Sequence, residues 1–175
     1  MLKRARLEPG ETMLVVGVGG GVSNFGLVLG LWMGARVFAT SRDDAKRKAA
    51  VGLGAADAFD SSQPFPVQAD VVFENVGGAT WDHSIKALAP GGRLVTCGGT
   101  AGSRVEISLP RLFFKQHEII GSTMGSYGEF AEVTRMVEQG LPVVIDEAVE
   151  GLQRFPEALE RMGQGAQLGK LVVSH

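Results

Sequence analysis

From Thr12 to about Gly140, short apolar runs alternate with longer segments of helical length. "TMLVVGV" (12–18) is continuously apolar, as expected for a strand covered on both faces. "SNFGLVLGLWMG" (23–34) follows at helical length with apolar residues all round, and predicts a buried helix. The same alternation predicts strands over 35–40, 56–62, 69–78, 93–99 and 118–124. Helices are predicted over 43–54 and 81–92, the latter ended by Pro90 and Gly91, and over 109–117 and 127–140. The helix over 43–54 has acids in its first turn and a glycine near its end, which suit the helix dipole and the C-cap. Short apolar strands alternating with helices imply an α/β unit, a parallel six-stranded sheet with helices on both faces, over residues 1–141. Residues 142–175 break the rhythm: "VIDEAVEG" is strand-like, "FPEALERMGQG" helical, and "GKLVVSH" a terminal strand.

Three predicted strands run into glycine, at Gly17–Gly21, Gly77–Gly78 and Gly98–Gly99. In a doubly wound sheet, ligands bind outside the carboxyl ends of the strands, and glycine there lets a ligand approach the backbone. Within "VVGVGGGVSNFG" (15–26), Gly17 suits a tight turn, and Gly19, Gly20 and Gly21 the close approach of a pyrophosphate. The helix beginning near Val22 offers free N–H groups and a positive dipole end. Read strictly, the dinucleotide fingerprint fails at its third glycine, whose task is close helix–strand packing; Ser23 or Gly26 is small enough to replace it in part. A tight turn without a ligand would show similar glycines. No Gly-Lys-[Ser/Thr] follows, which excludes a P-loop.

The end of the second strand bears on the cofactor. NAD binding wants an acid roughly 20 residues past the loop, to accept from the ribose 2′-hydroxyl. Here "FATSRDDAK" places Ser41 and Arg42 there, with Lys46 one helical turn on. A 2′-phosphate would meet a hydroxyl and two cations. Asp43 and Asp44 read as first-turn residues of the helix, so the expected cofactor is NADP(H). A methyltransferase sheet also starts with a glycine loop, but it too wants an acid at this point.

The formal net charge of -2 gives no electrostatic case for nucleic acid or an anionic membrane. Lys3-Arg4-Arg6 is read as a solvated surface. Cys97 is the single cysteine, so an internal disulfide is impossible and a reducing compartment fits; it is read as a small core residue within a strand. The histidines, His83, His117 and His175, are read as surface or helix-cap residues, and with one cysteine they make no zinc spacing. The basic N-terminus lacks an apolar signal core, and no stretch is apolar enough to span a membrane. The expected location is cytoplasmic. Tyr127 is followed four residues later by Ala131, against a Tyr-x-x-x-Lys pair.

"LEPGETMLVVGVGGGVS", "GARVFATSRDDAKRKAAVGLGAADAFD", "ADVVFENVGG", "ALAPGGRLVTCGGTAG", "FFKQHEIIGSTMGS" and the closing "GKLVV" together resemble the cofactor-binding domain of the medium-chain dehydrogenase/reductase family, in its quinone-oxidoreductase and zinc-type alcohol dehydrogenase-like branches. The resemblance runs from about residue 7 to the end and implies a Rossmann-type doubly wound sheet. Carried over by position, it implies pyrophosphate contact at Gly19 to Val22 and 2′-phosphate contact at Ser41, Arg42 and Lys46. Asn75 and Val76 would lie along the ribose, Gly98, Gly99 and Thr100 past the nicotinamide ribose, and Ser122, Thr123 and Met124 near the nicotinamide. It further implies a homodimer through the edge strand at 118–122, and a tail that packs on an N-terminal catalytic domain. That domain, with the substrate pocket and any zinc, has no counterpart in these residues, so an excised or truncated domain with an apolar patch exposed around the tail is expected. The expected function is the NADPH-binding domain of an oxidoreductase passing hydride between nicotinamide and a carbonyl, alcohol, enone or quinone. The alternative is a non-catalytic module that senses the nucleotide or recruits a partner. No catalytic residue or metal ligand is assigned.

Overall fold

Apolar runs too short for helices pair side by side in the computed structural model, which describes residues 1–174. The strands are β1 (Thr12–Val15), β2 (Arg36–Thr40), β3 (Asp57–Phe59), β4 (Ala69–Glu74), β5 (Leu88–Thr96) and β6 (Glu118–Gly121). They form one six-stranded sheet in the order β3-β2-β1-β4-β5-β6, with every pairing parallel. The chain reverses its direction of travel across the sheet between β1 and β4, so the loops after these two strands part and leave a crevice.

Alternate residues of each strand face opposite helix layers. Met13, Val15, Val37, Ala39, Val71, Phe73 and Val95 pack in one cluster with Leu27 and Val28 of α2 (Gly21–Trp32) and Ala50 of α3 (Asp44–Gly52). A short α1 (Leu2–Ala5) and Met136 of α6 (Tyr127–Glu138) join that layer. Leu14, Val16, Phe38, Val72 and Leu94 pack on the other face with Trp81 and Ile85 of α4 (Trp81–Lys86). Each such fully buried Val, Leu or Phe contributes roughly 1.5–3 kcal/mol relative to exposure. The remaining elements are α5 (Leu109–Phe114), β7 (Ile145–Glu150), α7 (Phe155–Gly163) and β8 (Lys170–Ser174). β7 and β8 pair in parallel as a separate two-stranded sheet.

Several boundaries differ from those expected. The helix expected over 81–92 ends at Lys86, and β5 begins at Leu88. Pro90 disfavours helical backbone at Ala89, and Gly91 takes φ +74, so residues 89–92 form a bulge between the Ala69–Leu88 and Val71–Arg93 pairs. β5 stops at Thr96, which leaves Cys97 beyond the strand and exposed rather than in the core. β6 stops at Gly121, and Met124 has φ +48, outside the extended region. His117 is buried between α5 and β6 rather than on the surface; His175 lies outside the described residues. The basic cluster near the N-terminus is tied down: Lys3 pairs with Glu132, Arg6 with Glu118 at 2.5 Å, and Arg4 donates to the Gly121 carbonyl.

Candidate functional site

The loop after β1 is held open by bonds to its neighbours. Gly17 N–H donates to Thr40 Oγ1 at 3.1 Å, and Val18 N–H to the Thr40 carbonyl at 2.9 Å. Gly17 has φ +72, and a Cβ there would stand 2.7 Å from Val76 Cγ2, so only glycine fits the turn. α2 then starts at Gly21 with Gly20 as its N-cap and no capping side chain. Its first N–H groups therefore have no partner within the helix, which leaves them available to an anion. Around Gly20 a Cβ would meet only the Gly17 carbonyl at 3.9 Å, so the loop is open there.

The close helix–strand packing required of the third glycine falls to Gly26, where a Cβ would come within 2.9 Å of the Phe73 ring. Ser23 does something else. Its hydroxyl bridges the Val16 carbonyl at 2.8 Å and Asn75 Oδ1 at 3.0 Å, joining the end of β1 to the loop after β4.

A second network holds that loop. Glu74, fully buried at the end of β4, accepts from Val76 N–H at 2.6 Å, Gly77 N–H at 3.0 Å, Thr80 Oγ1 at 2.9 Å and Ser84 Oγ at 2.6 Å. Gly77 lies against Gly99 and Gly102, and Gly78 N–H donates to the Gly102 carbonyl at 2.9 Å. The glycines after β4 and β5 thus serve the packing of loop on loop, a use the expectation of ligand approach did not foresee.

Two clefts open along this carboxyl edge. The first, about 1080 Å³, lies over the β1 and β2 ends. It brings together nine of the expected residues: Gly17, Gly19, Gly20, Ser41, Arg42, Lys46, Asn75, Val76 and Thr100. Ser41 is buried and its Oγ accepts from Asp43 N–H at 3.1 Å, which leaves its proton free to donate. Arg47 fixes the Ser41 carbonyl at 2.8 Å. Asp43 also lines the cleft, but as the N-cap of α3: its carboxylate accepts from Ala45 and Lys46 N–H. Asp44 pairs with Lys48 at 2.7 Å and Arg47 at 3.2 Å, and the Lys48 ammonium foremost holds its carboxyl below the usual range.

The second cleft, about 940 Å³, lies over the β5 and β6 ends and takes in Gly98, Gly99, Ser122, Thr123 and Met124. Gly21 and Val22 line neither cleft and stand at the start of α2. Partial desolvation by the surrounding loops raises the pKa of the Cys97 thiol, although the residue is exposed and lines this second cleft.

Sequence reasoning missed several wall residues. Ser61 and Ser62 follow β3 on the same edge and line the first cleft, as the strand-end rule would have indicated. Glu74 was detectable as an acid closing an otherwise apolar strand. Gly165, Gln167 and Lys170 come from the tail, and no local signal marks them. Lys46 Nζ donates to the Gly165 carbonyl, Gly169 N–H donates to Gly19 O at 3.3 Å, and Lys170 Nζ would stand 3.0 Å from a Cβ on Gly21.

The sheet order, the crevice at its switch point and an uncapped helix start beside cations define a nucleotide-binding domain of the Rossmann type. Residues 21–139 match the family model for zinc-binding dehydrogenases, and the chain belongs to that family as its cofactor-binding domain. It is 29% identical over 98% of its length to the zinc-type alcohol dehydrogenase-like protein YogA of Leptosphaeria maculans, covering 52% of that protein. It is 27% identical to acryloyl-coenzyme A reductase of Metallosphaera sedula, covering 99% of this chain and 53% of that one. A crystal structure of an NAD-dependent alcohol dehydrogenase superposes with a TM-score of 0.88 at 28% identity, over 99% of this chain and 54% of the other. The chain spans about half the length of the relatives it matches. Among the described residues no group of three or more His, Cys, Asp or Glu side chains could hold a metal ion, and no helix is long and apolar enough to cross a membrane.

Proposed function

We propose that this chain binds NADP(H) for an oxidoreductase that moves hydride between the nicotinamide and a carbonyl, alcohol, enone or quinone substrate, with the substrate domain outside these residues. The observation that carries the reading is the cluster at the end of β2. Ser41 with a free hydroxyl proton, Arg42 and Lys46 share one cleft with the glycine loop. The two carboxylates nearby, Asp43 and Asp44, are engaged in the helix cap and ion pairs. Three donors facing a cavity suit a 2′-phosphate dianion, while a ribose 2′-hydroxyl would want an acceptor.

In this reading the free N–H groups at the start of α2, with Lys170 beside them, hold the pyrophosphate. Asn75 and Val76, fixed by Ser23 and Glu74, position the ribose. Gly98 and Gly99 border the nicotinamide ribose, with Thr100 on the first-cleft side of the same loop, and Ser122, Thr123 and Met124 border the ring. The dinucleotide supplies hydride-transfer chemistry at its nicotinamide; the residues of this chain bind it, orient it and shape its surroundings. The free edge of β6 (118–122) pairs with a second copy, as an uncovered parallel edge would otherwise invite less specific pairing. The tail, with Leu152, Phe155, Leu159 and Met162 exposed, meets the substrate domain, and the protein works in the cytoplasm.

Calorimetric titration with NADPH and NADH tests the cofactor. NADPH is expected to bind more tightly, and Arg42→Ala with Lys46→Ala to weaken it about 10- to 100-fold while changing NADH little, the loss of charge-assisted bonds to one phosphate. Equal loss for both cofactors would sink the 2′-phosphate assignment.

A further inference from the structure

We infer that Ser23 is a positioning residue for the dinucleotide: it turns the side-chain amide of Asn75 so that the oxygen, not the nitrogen, is left for the first cleft, where it accepts from a ribose hydroxyl. The inference rests on the dinucleotide reading and gives it a residue that reaches the ligand only through another.

Ser23 stands in the first turn of α2 and is fully buried. Its hydroxyl lies 2.8 Å from the Val16 carbonyl and 3.0 Å from one terminal atom of the Asn75 amide. The hydroxyl carries a single proton, and a carbonyl oxygen can only accept, so the shorter contact, to Val16, takes that proton. The two ends of an amide have nearly the same shape, and hydrogen bonding decides which of them is oxygen. An oxygen 3.0 Å from Ser23 would face a second oxygen with no proton between them, beside a residue closed to water. A nitrogen there donates to Ser23 Oγ, and both contacts become hydrogen bonds. No other group among the described residues bonds that atom, so nothing opposes this orientation.

The amide oxygen is then the free end. Asn75 is half-buried and lines the first cleft together with Gly17, Gly19 and Gly20. Its second terminal atom bonds nothing among the described residues and is not shut from solvent. Val76 N–H donates to Glu74 at 2.6 Å, and Thr100 Oγ1 to the Asn75 carbonyl at 3.4 Å. These bonds hold the main chain, so the orientation of the amide is what Ser23 sets. Ionised phosphate oxygens only accept, and an amide oxygen offers them no bond. Among the donors of a dinucleotide, the ribose hydroxyls lie next to the phosphates that the glycine loop holds in this reading, whereas the adenine amino group lies beyond them.

The test has two arms. In the ligand-free chain, the side-chain amide signal of Asn75, identified by its loss in Asn75→Ala, is followed by heteronuclear NMR. Its hydrogens are expected to exchange with water about tenfold more slowly than those of a free asparagine amide, and at the free rate in Ser23→Ala. Exchange at the free rate in wild type overturns the orientation, and that measurement stands even where Ser23→Ala does not fold. In the second arm, NADPH is titrated calorimetrically into wild type, Ser23→Ala, Asn75→Ala and the double variant. Ser23→Ala is expected to weaken binding about 3- to 10-fold, the worth of one hydrogen bond, and to cost nothing further in the Asn75→Ala background. Losses that simply multiply in the double variant mean that Ser23 acts on the fold and not through Asn75, and overturn its positioning role. Failure of wild type to bind NADPH while its Asn75 amide is protected overturns the dinucleotide reading, and the ribose contact with it, but not the orientation of the amide.

Discussion

The cleft over the glycine loop and the cleft over the ends of β5 and β6 open on the same sheet edge, but different materials wall them. The first is lined by the glycine loop, Arg42 and Lys46, and a segment from the far end of the chain, Gly165 to Lys170, reaches the glycine loop and Lys46. The second is bordered in part by side chains that stand in solvent: Met124 is 95% exposed and Cys97 is exposed. Between them lie the interlocked loops after β4 and β5, so the two clefts share one wall. Under the proposed function the first cleft would receive the adenosine half of the dinucleotide, and the second, with apolar side chains still uncovered, the nicotinamide half.

The shared wall is where the comparison breaks most easily. Glu74→Ala removes the acceptor from four donors at once. It is expected to lower stability by about 3 kcal/mol or more in urea unfolding, with Glu74→Gln retaining part of the loss because an amide leaves one oxygen to accept. Next in size is Gly77→Ala. Its φ of +88 and its contact with the Gly102 carbonyl should cost about 1–3 kcal/mol without any ligand present. Gly20→Ala, with open space around it, should leave stability within about 0.5 kcal/mol and weaken dinucleotide binding instead. The reverse ranking of these two glycines would show that the loop-packing and ligand-facing roles are assigned the wrong way round.

His117 gives a smaller effect remote from both clefts. Burial first, then the charges of Arg111 and Lys115, lower its pKa, although the backbone at Ala89 and Leu88 acts in the opposite sense. The folded chain therefore keeps the ring neutral where the unfolded chain, with a pKa near 6.5, has taken up a proton. Stability is full above that pH, falls as the pH drops below it, and levels off beneath the lowered folded value. His117→Gln should flatten this one-proton slope in melting temperature between pH 7 and 5 while leaving ligand affinity at pH 7 unchanged. The smallest expected effect concerns Cys97. Its raised pKa should make carboxymethylation at pH 7 slower than that of a free thiol, speeding as the pH rises, and a bound dinucleotide should slow it further if the second cleft receives the nicotinamide half.

Most of the sheet was legible because its cause is local. Apolar runs such as Met13–Val16 and Val71–Phe73 have strand length, and Pro and Gly mark where they turn. The errors fell at boundaries where a neighbour decided the outcome. The helix after Trp81 looked longer because "KALA" is good helical sequence, yet the pairing of Leu88 with Ala69 drew it into β5. Cys97 read as a core residue because "LVTC" has no local stop signal, and only the pairing of β5 with β4, which ends at Thr96, shows where the strand finishes.

The amino-acid sequence by itself determined the alternation of strands and helices, the edge where glycine gathers, and the cation pair at the end of β2, since each depends on residues within a few positions of one another. Tertiary structure alone decided that Ser23 reaches Asn75, 52 residues on, and that Gln167 and Lys170 arrive over a loop near the other end of the chain. Those contacts arise when packed faces of distant segments meet, and periodicity, which reports which face is buried, carries no record of what it is buried against.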